Sequence, residues 1–209
     1  MIAPADLQEM LMRRSLKLSL FILPLLVPLA AWSRHTEQLS LQPDSKLWVE
    51  GKSSLKSWSC KAGQVDAVVE ALKSNAVNDL LAGEKAVRSV DVTVPSEKMD
   101  CSNGTMNDHM WKALKVGDFP TISFHLASYD VNKASNGITG TLNGTLTLGG
   151  VKKPITISAT GADDNGALHV LGSYDLNMTD YDLKPPTLLF GRIKVRENVT
   201  VKFDLLLKS

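Results

Sequence analysis

Residues 199–207 read VTVKFDLLL: Val199, Val201, Phe203, Leu205 and Leu207 alternate with Thr200, Lys202 and Asp204, and only Leu206 breaks the polar set. Strict period two puts one row against a core and the other toward water, the pattern of a half-buried strand in an antiparallel sheet. The same signature recurs upstream at close spacing. In 121–131, Ile122, Phe124 and Leu126 alternate with Ser123, His125 and Ala127; Val90, Val92 and Val94 alternate with Asp91 and Thr93 and stop at Pro95. Residues 138–148, 152–160 and 167–177 are further strands, set off by Asn-Gly, Gly-Gly and Asp-Asp-Asn-Gly turns, with Gly149-Gly150 predicting a tight hairpin. Residues 47–54, 64–71 and the alternation of Trp58 and Cys60 with serines extend the series toward the N-terminus.

One segment shifts to a helical period. Met106, Met110 with Trp111, and Leu114 recur at i, i+4 and i+8 in 105–115, with Thr105 or Asn107 as cap and Gly117 as stop. Residues 72–86 fit either a turn-rich connection or a short helix. A parallel doubly wound sheet needs a crossover helix after nearly every strand, and those are missing. The fold class is therefore mostly β: an antiparallel barrel of about eight strands with one or two short helices. Closure removes unpaired edges, and a bore of this size is filled by side chains or holds one slender apolar ligand.

Ahead of the strands, Arg13, Arg14 and Lys17 precede the 14-residue apolar run LSLFILPLLVPLAA, Leu18–Ala31, the plan of a secretory signal peptide over 1–33. Cleavage after Ala31 and after Ser33 both fit. A membrane helix needs about 20 apolar residues, and Pro24 and Pro28 interrupt this run. Residues 34–45 are polar, contain Pro43 and read as a leader to a single domain over 46–209. The expected destination is the periplasm or the cell exterior. Without 1–33, three basic and two acidic residues leave the totals of 23 and 22, so 20 of each sign remain. Such a balance argues against a nucleic-acid partner, which requires a basic stripe. No polybasic amphipathic stretch marks a membrane-bound surface, so membrane contact is expected to be transient. Monomer and dimer both fit.

Cys60 and Cys101 are 41 residues apart. In an oxidising compartment such a lone pair most simply forms one disulfide, with a loop-closure contribution of roughly 4 kcal/mol. Catalytic patterns are lacking. His35, His109, His125 and His169 are scattered without HExxH or zinc spacing, and Asp163-Asp164 and Asp180/Asp182 lie where turns favour Asp. The chain reads as a non-enzyme.

Four stretches carry a resemblance: K46LWVEGKSSLKSWSC60, M106NDHMWKALKVGDFPTISF124, L146TLGGVKKPITI157 and M178TDYDLKPPTLLFGRIKVRENVTVKFDLLL207. Together they resemble the YceI-like family of exported bacterial proteins, the FPTISF, LTLGGVKKPITI and MTDY segments being the most specific. The resemblance implies a lipocalin-like barrel around a long apolar pore, in which some members bind a polyisoprenoid or an isoprenoid quinone. Where many members carry Asp, then His-Ser, then a second His-centred stretch, this chain has Gly51, Lys52, Ser53, Ser54 and Trp58.

A lipid site needs a concave apolar lining and a polar group for the head. The candidate ligand contacts are Trp48 and Trp58 from the opening strands, then Ile122, Phe124, Leu126, Leu146, Leu148, Ile155, Ile157, Val201, Phe203 and Leu205 from the inward faces. Tyr181 either brings a hydroxyl to the pore mouth or bonds to backbone. The stripe Met106, Met110, Trp111 and Leu114 plugs one end as a lid or as plain helix docking. Pro185 and Pro186 stiffen a loop, and 187–190 is a short strand or part of an entrance rim. The expected function is non-catalytic binding or carriage of an isoprenoid-type lipid, with no cofactor beyond a bound isoprenoid quinone or polyisoprenoid. Two rivals stand beside it. A bore packed by Trp48, Phe124 and Phe203 would make the protein a periplasmic accessory or stress-related partner acting through its surface; polar groups converging on a quinone ring would make it a quinone-linked enzyme.

Overall fold

Period-two segments need a partner on each side, and here they find it by running up and down in chain order. The computed structural model describes residues 37–188 and 190–209; the basic cluster and apolar run read as an export signal lie outside the described residues. The strands are β1 (Gln38–Leu41), β2 (Lys46–Ser53), β3 (Ser57–Ala62), β4 (Asp66–Ala71), β5 (Val87–Pro95), β6 (Met99–Asp100), β7 (Thr121–Ala134), β8 (Gly137–Leu148), β9 (Val151–Asp164), β10 (Ala167–Asn177), β11 (Thr187–Leu188) and β12 (Ile193–Lys208). All the pairings are antiparallel.

The first six strands make three bent arms. β1 pairs with the end of β12 at Leu41↔Leu207, and β2 continues down the same side of β12 from Lys46↔Asp204. β4 and β3 lie in line against β1 and β2, and β5 and β6 lie in line against β4 and β3. These arms together with β7, β8, β9, β10 and β12 are the eight staves of an up-and-down barrel, closed between β12 and the first arm. β11 forms only a short hairpin with β12.

The two helices sit in connections at opposite ends. α1 (Ala76–Leu81) joins β4 to β5, and its Ala76, Val77 and Leu80 are buried with Leu39, Val69, Ile138 and Leu168. α2 (Gly104–Leu114) joins β6 to β7 at the other end, where Leu114 packs in a cluster with Val94, Met99, Leu148, Met178, Tyr181, Leu183 and the Cys60–Cys101 disulfide. The packed core is thus divided between the barrel's ends.

Local departures from the sequence expectations have simple causes. The stretch read as a leader, 34–45, contains β1, and Leu39 is 1% exposed because it completes the α1-end cluster. Four residues are too short a run to show a period. The cap of α2 is Asn103, whose side chain accepts from Met106 N–H at 3.0 Å; Asn107 instead accepts from Cys101 N–H at 2.7 Å. Lys115, at φ 56°, ends the helix before Gly117 is reached. The ambiguous 72–86 holds α1, and the strand read from 64 begins at Asp66.

Candidate ligand cavity

Strand parity decides what the barrel encloses. One cross-strand row of the inner face runs Val131, Gly140, Ala159, Gly172, Phe203, Leu47. Three adjacent staves contribute only Gly or Ala there, so the middle of the bore stays open. The resulting cavity has a volume of about 320 Å³, within the range of small-molecule sites, and its walls are almost wholly apolar. Inward residues such as Val92, Phe124, Leu142 and Val201 are only half-buried because they face this space, whereas the residues at the heart of the end clusters are buried.

Three rings are held flat against the wall by glycines. Trp58 lies over Gly51, Phe124 over Gly144 and Phe203 over Gly172; a Cβ at any of these glycines would collide with the ring. Gly51↔Trp58 and Gly172↔Phe203 are direct cross-strand pairs, and Gly144 sits diagonally from Phe124. A bare backbone accepts an aromatic face at a distance no other residue permits. The rings therefore line the bore without blocking it, and a bore packed by Trp48, Phe124 and Phe203 is not what forms.

Of the residues proposed from the sequence, Trp58, Ile122, Phe124, Leu126, Leu146, Leu148, Ile155, Ile157, Val201, Phe203 and Leu205 line the cavity. Trp48 does not. Its parity turns it to the outer face, where Nε1–H donates to Glu50 Oε1 at 2.8 Å beside the Lys202–Glu50 ion pair, also 2.8 Å. Hydrogen bonds from Lys202 and then Trp48 hold the Glu50 carboxyl below its usual pKa. Tyr181 lies behind the lining, 2% exposed, and its hydroxyl, beside Tyr174, has no hydrogen-bond partner of good geometry among the described residues. Burial first, then neighbouring Tyr174 and Asp180, push its pKa well above the ordinary tyrosine value. Trp58 Nε1 is likewise buried without a partner among the described residues. Both side chains belong to the α2-end cluster or pack on it.

Met110 and Leu114 of the predicted stripe line the cavity from α2, and Trp111 anchors that helix by donating to the Met99 carbonyl at 3.2 Å. Sequence reasoning missed Tyr174, Leu142 and Val170, which also line it; their strands were identified, but not which parity faced inward. It missed Tyr129 as well, whose hydroxyl accepts from Ala86 and Val87 N–H at 2.8 and 2.9 Å and pins the start of β5 to β7. His125 and His169 do not meet: each faces its own carboxylate on the barrel wall, Asp91 at 2.6 Å and Asp204 at 2.7 Å. Asp163 accepts from Gly166 N–H at 3.0 Å, a turn role. Among the described residues no group of three or more His, Cys, Asp or Glu is placed to hold a metal ion.

A closed antiparallel barrel with a hollow apolar bore and a helix at each end is a lipocalin-like barrel, able to take an apolar ligand. The family model of the YceI-like domain matches residues 50–207, and the chain belongs to that family. BcnA of Burkholderia cenocepacia shares the fold with a TM-score of 0.60 at 16% identity, covering 78% of this chain and 95% of the other. A polyisoprenoid-binding domain from Saccharophagus degradans, implicated in plant cell wall breakdown, does so with a TM-score of 0.57 at 13% identity, covering 82% and 97%. The Campylobacter jejuni YceI protein follows at 0.54 and 16%, covering 76% and 85%. No curated protein matches the sequence.

Proposed function

We propose that the barrel binds an isoprenoid-type lipid, a polyisoprenoid or an isoprenoid quinone, and carries it through an aqueous compartment, the periplasm in a bacterial cell. The observation that carries this reading is the hollow apolar bore whose midsection is kept open by Gly140, Ala159 and Gly172. A slender chain fits such a channel, and each buried methylene contributes about 0.8 kcal/mol, so a tail alone supplies useful affinity. The Saccharophagus domain of the same fold, described as polyisoprenoid-binding, agrees with that cargo class. The buried Trp58 Nε1–H, without a partner among the described residues and on a side chain that lines the bore, favours a species with a carbonyl or hydroxyl oxygen at its head.

Native mass spectrometry with lipid extraction, on protein purified without detergent from a bacterial periplasm, tests this. A one-to-one adduct of isoprenoid mass that added quinone displaces is the expected result. An apo mass unchanged by incubation with isoprenoids and fatty acids would sink the carrier reading.

A further inference from the structure

The sequence has no polybasic stretch, yet the fold assembles a basic tip from separate segments at the α2 end. The turn after β2, residues 54–56, is tied to the β11–β12 hairpin. Ser54 N–H donates to the Lys194 carbonyl at 2.9 Å, Lys194 N–H donates to Ser54 Oγ at 3.2 Å, and Ser54 Oγ donates to the Arg192 carbonyl at 3.4 Å. Val195 N–H reaches the Pro186 carbonyl at 3.0 Å, which draws in the segment after Tyr181. These segments bring together Lys52, Lys56, Lys184, Arg192, Lys194 and Arg196, all exposed. Against them stand Asp180, Asp182 and Glu197, so six cations and three anions give the tip a net charge of +3, while the whole chain carries +1. None of the six takes part in an ion pair among the described residues.

Two large apolar side chains project from the same place. Leu55, in the β2 turn, is 71% exposed, and Phe190, in the hairpin turn, is 110% exposed. Phe190 also has φ 53°, a left-handed backbone that bulky residues seldom occupy.

We propose that this tip docks on the surface of an anionic phospholipid bilayer, with Leu55 and Phe190 entering the interface and the surrounding Lys and Arg side chains meeting the headgroup phosphates. The tip is built from two turns, residues 54–56 and 190–192. A stable protein–protein contact buries roughly 800 Å² per partner, whereas a soft lipid interface accommodates single protruding side chains such as Leu55 and Phe190. Attraction of juxtamembrane cations to an anionic leaflet is of a size that several together make decisive. The tip is rooted in the cavity: Leu183, directly before Lys184, and Trp58, two residues after Lys56, both line it. Docking thus sets the α2 end of the bore against the reservoir from which an apolar ligand comes. The carrier reading gives this surface its purpose, but vesicle binding is measured without cargo, so either idea can fail while the other stands.

The test is co-sedimentation of the purified protein with vesicles of phosphatidylcholine alone and of phosphatidylcholine mixed with phosphatidylglycerol, at low salt and at about 0.5 M salt, where screening is short-ranged. Binding is expected only to the anionic vesicles at low salt. Arg192→Glu with Lys194→Glu is expected to weaken it by at least about 20-fold, at roughly fivefold for each cation lost. Phe190→Ser with Leu55→Ser is expected to weaken it severalfold with the salt dependence kept. A control reversal at the opposite end, Lys133→Glu with Lys208→Glu, changes net charge equally and is expected to cost little. Equal losses in tip and control variants, no binding to anionic vesicles, or capture of the tip by heparin in place of vesicles would each overturn the proposal. Retained disulfide and unchanged near-ultraviolet circular dichroism establish that the exposed substitutions leave the fold intact.

Discussion

At the scale of single residues, the bore depends on what three glycines lack. The Phe203 ring occupies the space a side chain at position 172 would need, so Gly172→Val must drive the ring off the wall and into the open midsection. The expected result is a loss of about 1–3 kcal/mol in stability from overpacking, together with a smaller cavity that takes up less lipid; denaturant unfolding and lipid loading check the two parts. Tyr181 makes the opposite trade. Its hydroxyl is buried without a hydrogen-bond partner of good geometry among the described residues, so Tyr181→Phe is expected to stabilise the lipid-free protein by about 1 kcal/mol, measured by denaturant unfolding. A variant less stable than wild type would show that the hydroxyl is satisfied after all. The same residue sets a pH dependence. Because burial raises its folded-state pKa above the unfolded value of about 10, its contribution is fully present below pH 10 and is lost as pH rises from there toward the folded pKa. Alkaline unfolding should therefore be less steep in Tyr181→Phe than in wild type.

At the scale of elements, the α2 end is held by a covalent bond and a cap that lie two residues apart in sequence. The Cys60–Cys101 disulfide fastens β3 to the approach of α2, and Asn103 caps that helix. Replacing both cysteines by serine is expected to cost roughly 4 kcal/mol and to lower Tm by about 10 °C, measured by calorimetry, and lipid retention should fall as the helix loosens. Asn103→Ala removes one acceptor at the helix N-terminus and is expected to cost about 1 kcal/mol. These elements also show how far sequence reading reaches. β12, β7 and the Gly149–Gly150 hairpin were legible because nine or more residues repeat one period or one turn chemistry. β1 was not, since four residues within a polar stretch show no period and its strand character comes from Leu39 meeting Val69 and Ile138. The inward row was legible wherever large apolar residues marked it. It failed at Trp48, whose size outweighed its parity, and at Gly140, Ala159 and Gly172, whose contribution is the absence of side chains. The basic tip was invisible because its cations lie on segments some 140 positions apart in sequence, as in the Ser54–Lys194 contact.

At the scale of the whole molecule, the fold places its packing at the two ends and leaves the middle empty. A cavity of about 320 Å³ with almost wholly apolar walls forgoes contacts that, at about 24 cal/mol per Å³, are on the order of 8 kcal/mol. A domain of ordinary stability, about 5–15 kcal/mol, tolerates such a void only if the rest of the barrel is well made, and it gains from filling it. Two outcomes follow from that single fact. Loading wild-type protein with an isoprenoid at about 100 times Kd is expected to add near 2.7 kcal/mol and to raise Tm by about 5–10 °C. Filling the same space from within should substitute for the ligand: Ala159→Phe places a ring in the row between Gly140 and Gly172, where there is room for it. Calorimetry of that variant is expected to show a lipid-free Tm equal to or above that of wild type, no shift on adding lipid, and no lipid adduct by native mass spectrometry. If Ala159→Phe still bound lipid one to one with an undiminished Tm shift, the cargo would have to lie outside the midsection, and the hollow row would owe its small residues to the close passage of Phe203 over Gly172 rather than to a ligand.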